Sequence, residues 1–245
     1  MLSEERHGII LREIVKRGIT KVEDLCNLTN SSESTIRRDL SYLEEKGQIK
    51  RVHGGAILTK GRFVEESFKE KLVHNREEKI EIAKFAASLI EDGDSIYLDA
   101  GTTTYEMTKF IDNKDIFVVT NGIDNVDALL EKDIDVYILG GKIKSKTKAV
   151  VGTNTFNELE KFRFDKAFIG INAIDIEFGL TTPDQEEALM KSKAIEVSRD
   201  AFVLADSSKF NKISFTKVSD FREVTVITDK EDRQYARKLN LRVVK

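Results

Sequence analysis

Two stretches of this chain carry side chains whose types and spacing suggest chemistry. The first is residues 32–55, SESTIRRDLSYLEEKGQIKRVHGG. Arg37 and Arg38 offer planar forks of donors that fit guanine O6/N7 or a phosphate. The hydroxyls of Ser34, Thr35 and Ser41 can bond phosphates and base edges. Ile36, Leu40 and Leu43 recur at i, i+4, i+7 and so form one buried stripe, which leaves Ser34, Thr35, Arg37, Arg38, Ser41 and Tyr42 on faces open to solvent or a ligand. Ser32 can cap this helix and Gly47 can end it. Lys50, Arg51 and His53 then fall in a short alternating strand that Gly54-Gly55 turns back as a hairpin. Two adjacent arginines alone are what a solvated helix face carries. With two short helices before them and a basic wing after, they read as a surface that grips duplex DNA.

The second stretch is Asp99-Ala100-Gly101-Thr102-Thr103-Thr104, at a strand-to-helix junction. Gly101 lets backbone approach closely, the threonines supply hydroxyls and N–H groups, and the helix start favours negative charge. That is the composition of a phosphate cradle. The same residues make a plain strand-to-helix cap, and this stretch alone does not separate the two readings. Other strand ends add weight: Thr120-Asn121-Gly122, Gly140-Gly141-Lys142, Gly170-Ile171-Asn172 and Asp206-Ser207-Ser208-Lys209. Glycine or short polar residues collect where strands should stop, which suits a pocket for a small polar anion. Lys191 and Lys209 either neutralise that anion as point charges or lie in solvent.

The elements that must position these residues are read from periodicity. Residues 3–17 form a helix with Ile10, Leu11, Ile14 and Val15 inward, ended by Gly18. Thr20-Lys21-Val22-Glu23 matches a capping box opening a second helix, with Val22, Leu25, Cys26 and Leu28 inward. Helix, short helix, polar turn and helix is the helix-turn-helix order. Residues 59–75 are charged, with Phe63, Val64, Phe68 and Leu72 among them. They read as an ordered linker, either free-standing or covering part of the second domain. Asn75 is expected to cap a helix to about residue 91. Strands at 95–99, 116–120, 135–141, 165–171, 200–206, 224–229 and 241–244 then alternate with helices. One helix runs from 184 to about 198 with Pro183 at its first position. The expected architecture is α/β: an N-terminal winged helix-turn-helix (1–58), a linker (59–75), and a C-terminal, mostly parallel sheet with helices on both faces (76–245).

Composition bounds the function. A hydrophobic share of 40% with 34% charged residues fits a soluble globular protein. No apolar run approaches the ~20 residues of a membrane span, and the charged start MLSEERHGII lacks a secretory core. One cysteine, Cys26, excludes an internal disulfide framework and fits the reducing cytoplasm. His7, His53 and His74 are too scattered for a metal site, so no metal or other cofactor is expected. The net charge is −3, and residues 1–57 hold ten Lys and Arg against nine Asp and Glu. Local arrangement, and not global basicity, therefore carries the DNA argument, and non-specific binding should be weak.

TIRRDLSYLEEKGQIKRVHGGAIL resembles the signature of DeoR-family transcriptional regulators. LDAGTTT, VVTNG, LGG, FDKAFIG, GLTTPD and ADSSKF are similar to pieces of that family's sensor domain, which is related in fold to ribose-5-phosphate isomerase. The resemblance implies a repressor of a sugar-catabolism operon, a dimer or tetramer on operator DNA, modulated by a phosphorylated sugar; some relatives have the opposite sign and activate. It implies effector contacts at Asp99, Gly101, Thr102, Thr103, Asn121, Gly122, Gly141, Lys191, Asp206 and Lys209. The alternative is an isomerase. Those enzymes carry a G-A-D-E-x-D run and then a glycine-rich Lys-Glu segment. Here residues 170–175 keep only the last acid, and Ser192 takes the place of the catalytic glutamate. Binding without turnover is expected, with Glu186 or Glu187 left as substitutes under the alternative.

Overall fold

The N-terminal unit is built on three helices, α1 (Ser3–Arg17), α2 (Val22–Thr29) and α3 (Glu33–Glu45), and three short strands, β1 (Ile19–Lys21), β2 (Ile49–Val52) and β3 (Gly55–Leu58). The structure, a computed structural model, describes residues 2–17, 19–46, 48–52, 54–58, 66–112 and 115–244. Gly18, Gly47, His53, Phe63 and Val64, whose roles were expected from sequence, lie outside them. Ile10, Ile14, Leu25, Ile36, Leu40, Leu43 and Ile49 are fully or almost fully buried in one cluster. The stripe expected on α3 is therefore its core face. Ser32 caps α3 as expected, accepting the Thr35 N–H at 3.3 Å. Arg6 and His7 of α1 converge on Asp39 of α3, with contacts of 3.0 Å from each. Burial pushes the Asp39 carboxyl up, but Arg6 and His7 outweigh it and hold it below the ordinary carboxylate value.

The capping box at residues 20–23 is not made. Thr20 lies in β1, paired with Ala56 of β3, and the N-cap of α2 is Lys21, with no side-chain bond. The Val22 N–H goes instead to the Gly54 carbonyl at 3.0 Å, so strand pairing supplies the acceptor that a cap would have supplied. Leu28 is exposed, because α2 is short and buries only Val22, Leu25 and Thr29. The wing is thus a three-stranded sheet, ordered β1-β3-β2. Gly54, at φ 77°, turns the hairpin. At Gly55 a β-carbon would overlap the Thr20 carbonyl of the neighbouring strand.

In the second unit, α4 (Phe68–Val73) precedes α5 (Arg76–Ala87), and strands and helices then alternate: β4 (Ser95–Leu98), α6 (Thr102–Thr108), β5 (Phe117–Thr120), α7 (Ile123–Leu130) and β6 (Val136–Ile138). After a hairpin of β7 (Lys142–Ile143) and β8 (Val150–Val151) come α8 (Thr153–Leu159), β9 (Phe164–Gly170), β10 (Ala173–Asp175), β11 (Gly179–Thr182), α9 (Gln185–Glu196), β12 (Ser198–Leu204), β13 (Thr216–Ser219), β14 (Thr225–Thr228), α10 (Arg233–Ala236) and β15 (Asn240–Val243). Seven strands form one parallel sheet, ordered β15-β14-β12-β9-β4-β5-β6. Ile96 and Leu98 face the layer of α5, α6 and α7, and Tyr97 faces that of α8, α9 and α10. Helices therefore cover both faces, as alternation of β4 requires.

From β4 the chain winds one way to β5 and β6; from β9 it winds the other way to β12, β14 and β15. The sheet's switch point lies between β4 and β9, and a crevice opens outside such a point. Not foreseen were α8 and the antiparallel trio β10-β11-β13, which lies apart from the main sheet. Pro183 is not the first helical residue: Asp184 is the N-cap of α9, accepting the Glu187 N–H at 2.9 Å, and Pro183 precedes it. Asn75 is the N-cap of α5 by position only; its side-chain amide donates to Asp206 at 2.8 Å. The two units touch where Arg12 of α1 meets Asp175 of β10 at 3.2 Å.

Gly55→Ala should destabilise the N-terminal unit by about 1–3 kcal/mol, because overpacking forces β1 away from β3. Urea denaturation followed in that unit checks this; an unchanged midpoint would mean the two strands are not held so close.

Candidate functional site

On the N-terminal unit, Ser34, Arg37, Arg38, Ser41, Tyr42, Lys50 and Arg51 are all exposed, and Thr35 is half-buried. The arginines are held by local partners. Arg37 donates to Glu33 at 2.8 Å, one helical turn back, and Arg38 donates to the Ser34 carbonyl at 3.3 Å. Arg51 of the wing donates to the Ser41 hydroxyl of α3 at 2.7 Å, and its backbone N–H bonds Glu44 at 2.8 Å. These bonds lock wing to helix, so both present one surface. Ser34 and Thr35 share hydrogen bonds with the Ser32 hydroxyl at the helix start. Tyr42 stacks on His7 at 5.0 Å between centroids, which fixes the ring against α1. An exposed helix with two guanidinium forks and a latched basic strand can enter a groove and contact phosphates on either side. Sequence reasoning had not assigned roles to Glu33 and Glu44; the i, i+4 spacing of Glu33 and Arg37 was the available signal.

The second site is a cleft of about 590 Å³, open to solvent, outside the carboxyl ends of β4 and β9. Of the residues read from sequence, it brings together Gly101, Thr102, Thr103, Lys191 and Lys209. Asn172, at the end of β9, also lines it. Asp99 lies behind this wall, 1% exposed, in an ion pair with Lys191 and accepting the Gly170 N–H at 3.0 Å. Asp206 is 2% exposed. One of its oxygens accepts from Asn75 and Ser208, while the other has no hydrogen-bond partner among the described residues and lies 3.9 Å from the Lys209 ammonium.

Four further residues act as braces and do not line the cleft. The Thr104 hydroxyl donates to the Asp99 carbonyl at 2.7 Å. Asn121 accepts the Ala100 N–H at 2.8 Å. Gly122 packs against Ala100, and Gly141 packs where a side chain would strike Thr155. Further wall residues were not named from sequence as site residues: Phe68 and Lys71 of α4, Lys79 of α5, Thr147 of the β7–β8 loop, and Leu204 at the end of β12. Glu187 of α9 also lines the cleft. Lys79 had a readable signal: with Ala83 and Ala86 it falls on the apolar stripe of α5, an odd place for a lysine.

The charges fall into two groups. Burial lowers the Lys79 ammonium to about 8; Lys209 adds to that, while Asp206 opposes it. Lys212 is lowered for the same reasons, burial first and then Lys209. The second group is Asp99, Lys191, Glu187 and Lys144. Burial raises Asp99 above the ordinary carboxylate value despite Lys191. Burial also pushes Glu187 up, but Lys191, Lys144 and the Thr147 hydroxyl outweigh it and hold it below the usual value.

An exposed helix with a latched basic wing, joined to an α/β sheet with a cation-lined crevice at its switch point, is the build of a DNA-binding protein with a small-molecule domain. The DeoR-like helix-turn-helix domain model matches residues 6–62, and the DeoR C terminal sensor domain model matches residues 74–230. The chain belongs to the DeoR family of transcriptional regulators. It is 49% identical over 250 residues, covering 100% of both chains, to the HTH-type transcriptional regulator FruR of Bacillus subtilis (strain 168). It is 35% identical over 240 residues, covering 96% of this chain and 95% of the other, to the lactose phosphotransferase system repressor of Staphylococcus epidermidis. A solved ribose 5-phosphate isomerase from Methanocaldococcus jannaschii aligns with 56% of this chain and 55% of its own, at 19% identity and a TM-score of 0.41.

Lys191→Ala should cost about 3–5 kcal/mol, because it strands Asp99 as a buried charge. Without its partner Asp99 binds a proton more readily folded than unfolded, so the deficit should shrink as pH falls and grow as pH rises above the ordinary carboxylate value. Denaturant midpoints across pH 4–8, roughly the range over which a carboxylate ionises, check this. A deficit that does not vary with pH would mean the pair is not what Lys191 stabilises.

Proposed function

We propose that this regulator represses a sugar-catabolism operon in the cytoplasm and leaves its operator when a phosphorylated sugar fills the cleft. The observation that carries the reading is the lysine group. Lys79 and Lys209 line one end of the crevice and Lys212 stands near enough to feel Lys209, answered among the described residues by Asp206 and the exposed Glu66. A buried ammonium lowered by burial and by other ammoniums is relieved by an anion, and a phosphate monoester supplies about two negative charges at neutral pH. Repression of a sugar operon is supported by the lactose-system repressor among the relatives. The N-terminal surface contacts the operator through Ser34, Thr35, Arg37, Arg38, Ser41, Tyr42, Lys50 and Arg51. Two copies on a two-fold symmetric operator, or a tetramer, are the assembly such a module suits.

In this reading the sensor domain binds without turnover. Asp99 and Glu187, the acids nearest the cleft, are engaged by Lys191 and by Lys144 and Thr147. A general base works best with a pKa near the working pH and within reach of the substrate; Glu187 is held below the usual carboxylate value, and Asp99 is shut behind the wall in its ion pair. The effector shifts the population between DNA-binding and released forms by its difference in affinity for the two.

A mobility-shift assay on the protein's own promoter DNA, run with phosphorylated sugars and their unphosphorylated counterparts, tests this. Phosphorylated compounds should release the DNA and their counterparts should not; release by unphosphorylated sugars alone would refute the reading. Arg38→Ala should weaken operator binding by about tenfold or more with effector affinity intact. Lys79→Gln should bind DNA normally but need about tenfold more effector, as loss of a charged hydrogen bond implies.

The Lys79 value of about 8 gives a pH signature. A bound dianion favours charged Lys79 and raises its pKa, so binding should take up protons near and above pH 8 and affinity should fall as pH rises through that range. Calorimetry in buffers of different ionisation enthalpy measures the uptake; none at that pH would remove Lys79 from the anion site.

A further inference from the structure

The two ends of the cleft differ in charge, and the difference has a use. The charges that shift Lys79 and Lys212 come from Lys209, Asp206 and their neighbours, whereas those that shift Asp99 and Glu187 come from Lys191, Lys144 and each other. The first end carries an excess of cations. At the second end Lys191 is committed to Asp99, and Lys144 is shared between Glu187 at 2.8 Å and Asp184 at 3.0 Å. Asp99, Glu187 and Asp184 thus meet Lys191 and Lys144 there, three acids to two lysines. Glu187 is the acid of that end that lines the cleft. One carboxylate oxygen accepts from Thr147 at 2.7 Å and from Lys144. The bonds the carboxylate makes among the described residues run through that one oxygen, and the residue, 4% exposed, forms part of the cleft wall.

We infer that Glu187 is the specificity-determining residue of the cleft, accepting hydroxyl hydrogens from the unphosphorylated end of the sugar and rejecting a second phosphate there. This rests on the reading of the cleft as a phosphorylated-sugar site and narrows it to sugar monophosphates. A fixed carboxylate in a cleft wall gains from a hydroxyl donor and loses when none is offered. A phosphate in the same place meets a like charge in a half-enclosed crevice, where the cost is well above its value in water. Discrimination thus comes from a repulsive element at one end as well as an attractive one at the other. Thr147 and Lys144 hold the carboxylate in place, so it does not swing aside to admit the wrong ligand.

The test is calorimetry on the full-length protein with glucose 6-phosphate, fructose 1-phosphate, fructose 1,6-bisphosphate and inorganic phosphate. Wild type should bind the bisphosphate at least about tenfold more weakly than the best monophosphate. Glu187→Gln keeps an oxygen for Thr147 but removes the charge; it should narrow that ratio by about tenfold and leave inorganic phosphate, held at the lysine end, unchanged. Glu187→Asp keeps the charge and should keep the rejection while weakening monophosphate binding. Should the glutamine variant fail to fold, the wild-type ratio and the aspartate variant still decide. Equal affinity of wild type for mono- and bisphosphates, or a ratio unchanged by Glu187→Gln, overturns the assignment and leaves the sugar-phosphate reading standing. No binding of any phosphorylated sugar overturns both.

Discussion

The ion pair between Asp99 and Lys191 is the constraint on which the sensor domain depends. It joins the end of β4 to α9, and through the Gly170 N–H it also holds the end of β9. Those are the strands between which the sheet changes direction. Burying two charges costs several kcal/mol each before their attraction is counted, so neither group is stable there without the other, and the Gly170 N–H adds one hydrogen bond to the pair. What it gives in return is position. Thr102 and Thr103 lie just beyond Asp99 in the chain, and Glu187 lies one helical turn before Lys191. A single contact therefore sets the spacing of two walls of the crevice.

The two candidate sites would meet phosphate with different chemistry. The exposed face of α3 and the wing offers guanidinium groups braced by Glu33, Ser34 and Ser41. Its attraction is screened by salt, and the low net charge of the unit leaves little long-range pull. The crevice uses lysines that are mostly out of solvent, where screening is weak and an ammonium stays responsive to its surroundings. Groove recognition then rewards geometry, while metabolite recognition rewards charge balance.

Much of this was readable from residues. The stripe of Ile36, Leu40 and Leu43 gave α3, and the short apolar runs ended at polar residues where the main sheet has its crevice. What escaped depends on contacts distant in sequence. Thr20 looks like a cap because Glu23 stands three residues on; it becomes a strand only because Ala56 is there to pair with it. Asn75 looks like a cap by the same local logic, and its side chain is claimed by Asp206 from the far end of the domain. Lys79 reads as one charge among many in REEKIEIAK until α5 is laid against the turn bearing Lys209. Lys191 had two readings in the sequence, solvated or anion-binding, and the fold gave it a third: it is spent on Asp99. Local pattern found the elements; it had no access to which side chains the fold would set face to face.

The meeting of Arg12 with Asp175 has a geometrical consequence. Asp175 stands three residues beyond Asn172, which is part of the crevice wall, and Arg12 shares α1 with Arg6, which clamps α3. Crevice wall, salt link and α3 are thus connected in series, and the link is the natural fulcrum for any tilt between the two units. A tilt of a few degrees at the fulcrum would move the tip of α3 sideways in proportion to its distance from it. In a pair of such chains set about 34 Å apart on successive turns of a duplex, the tilts would add, and a small turn at the salt link would carry both α3 helices out of register.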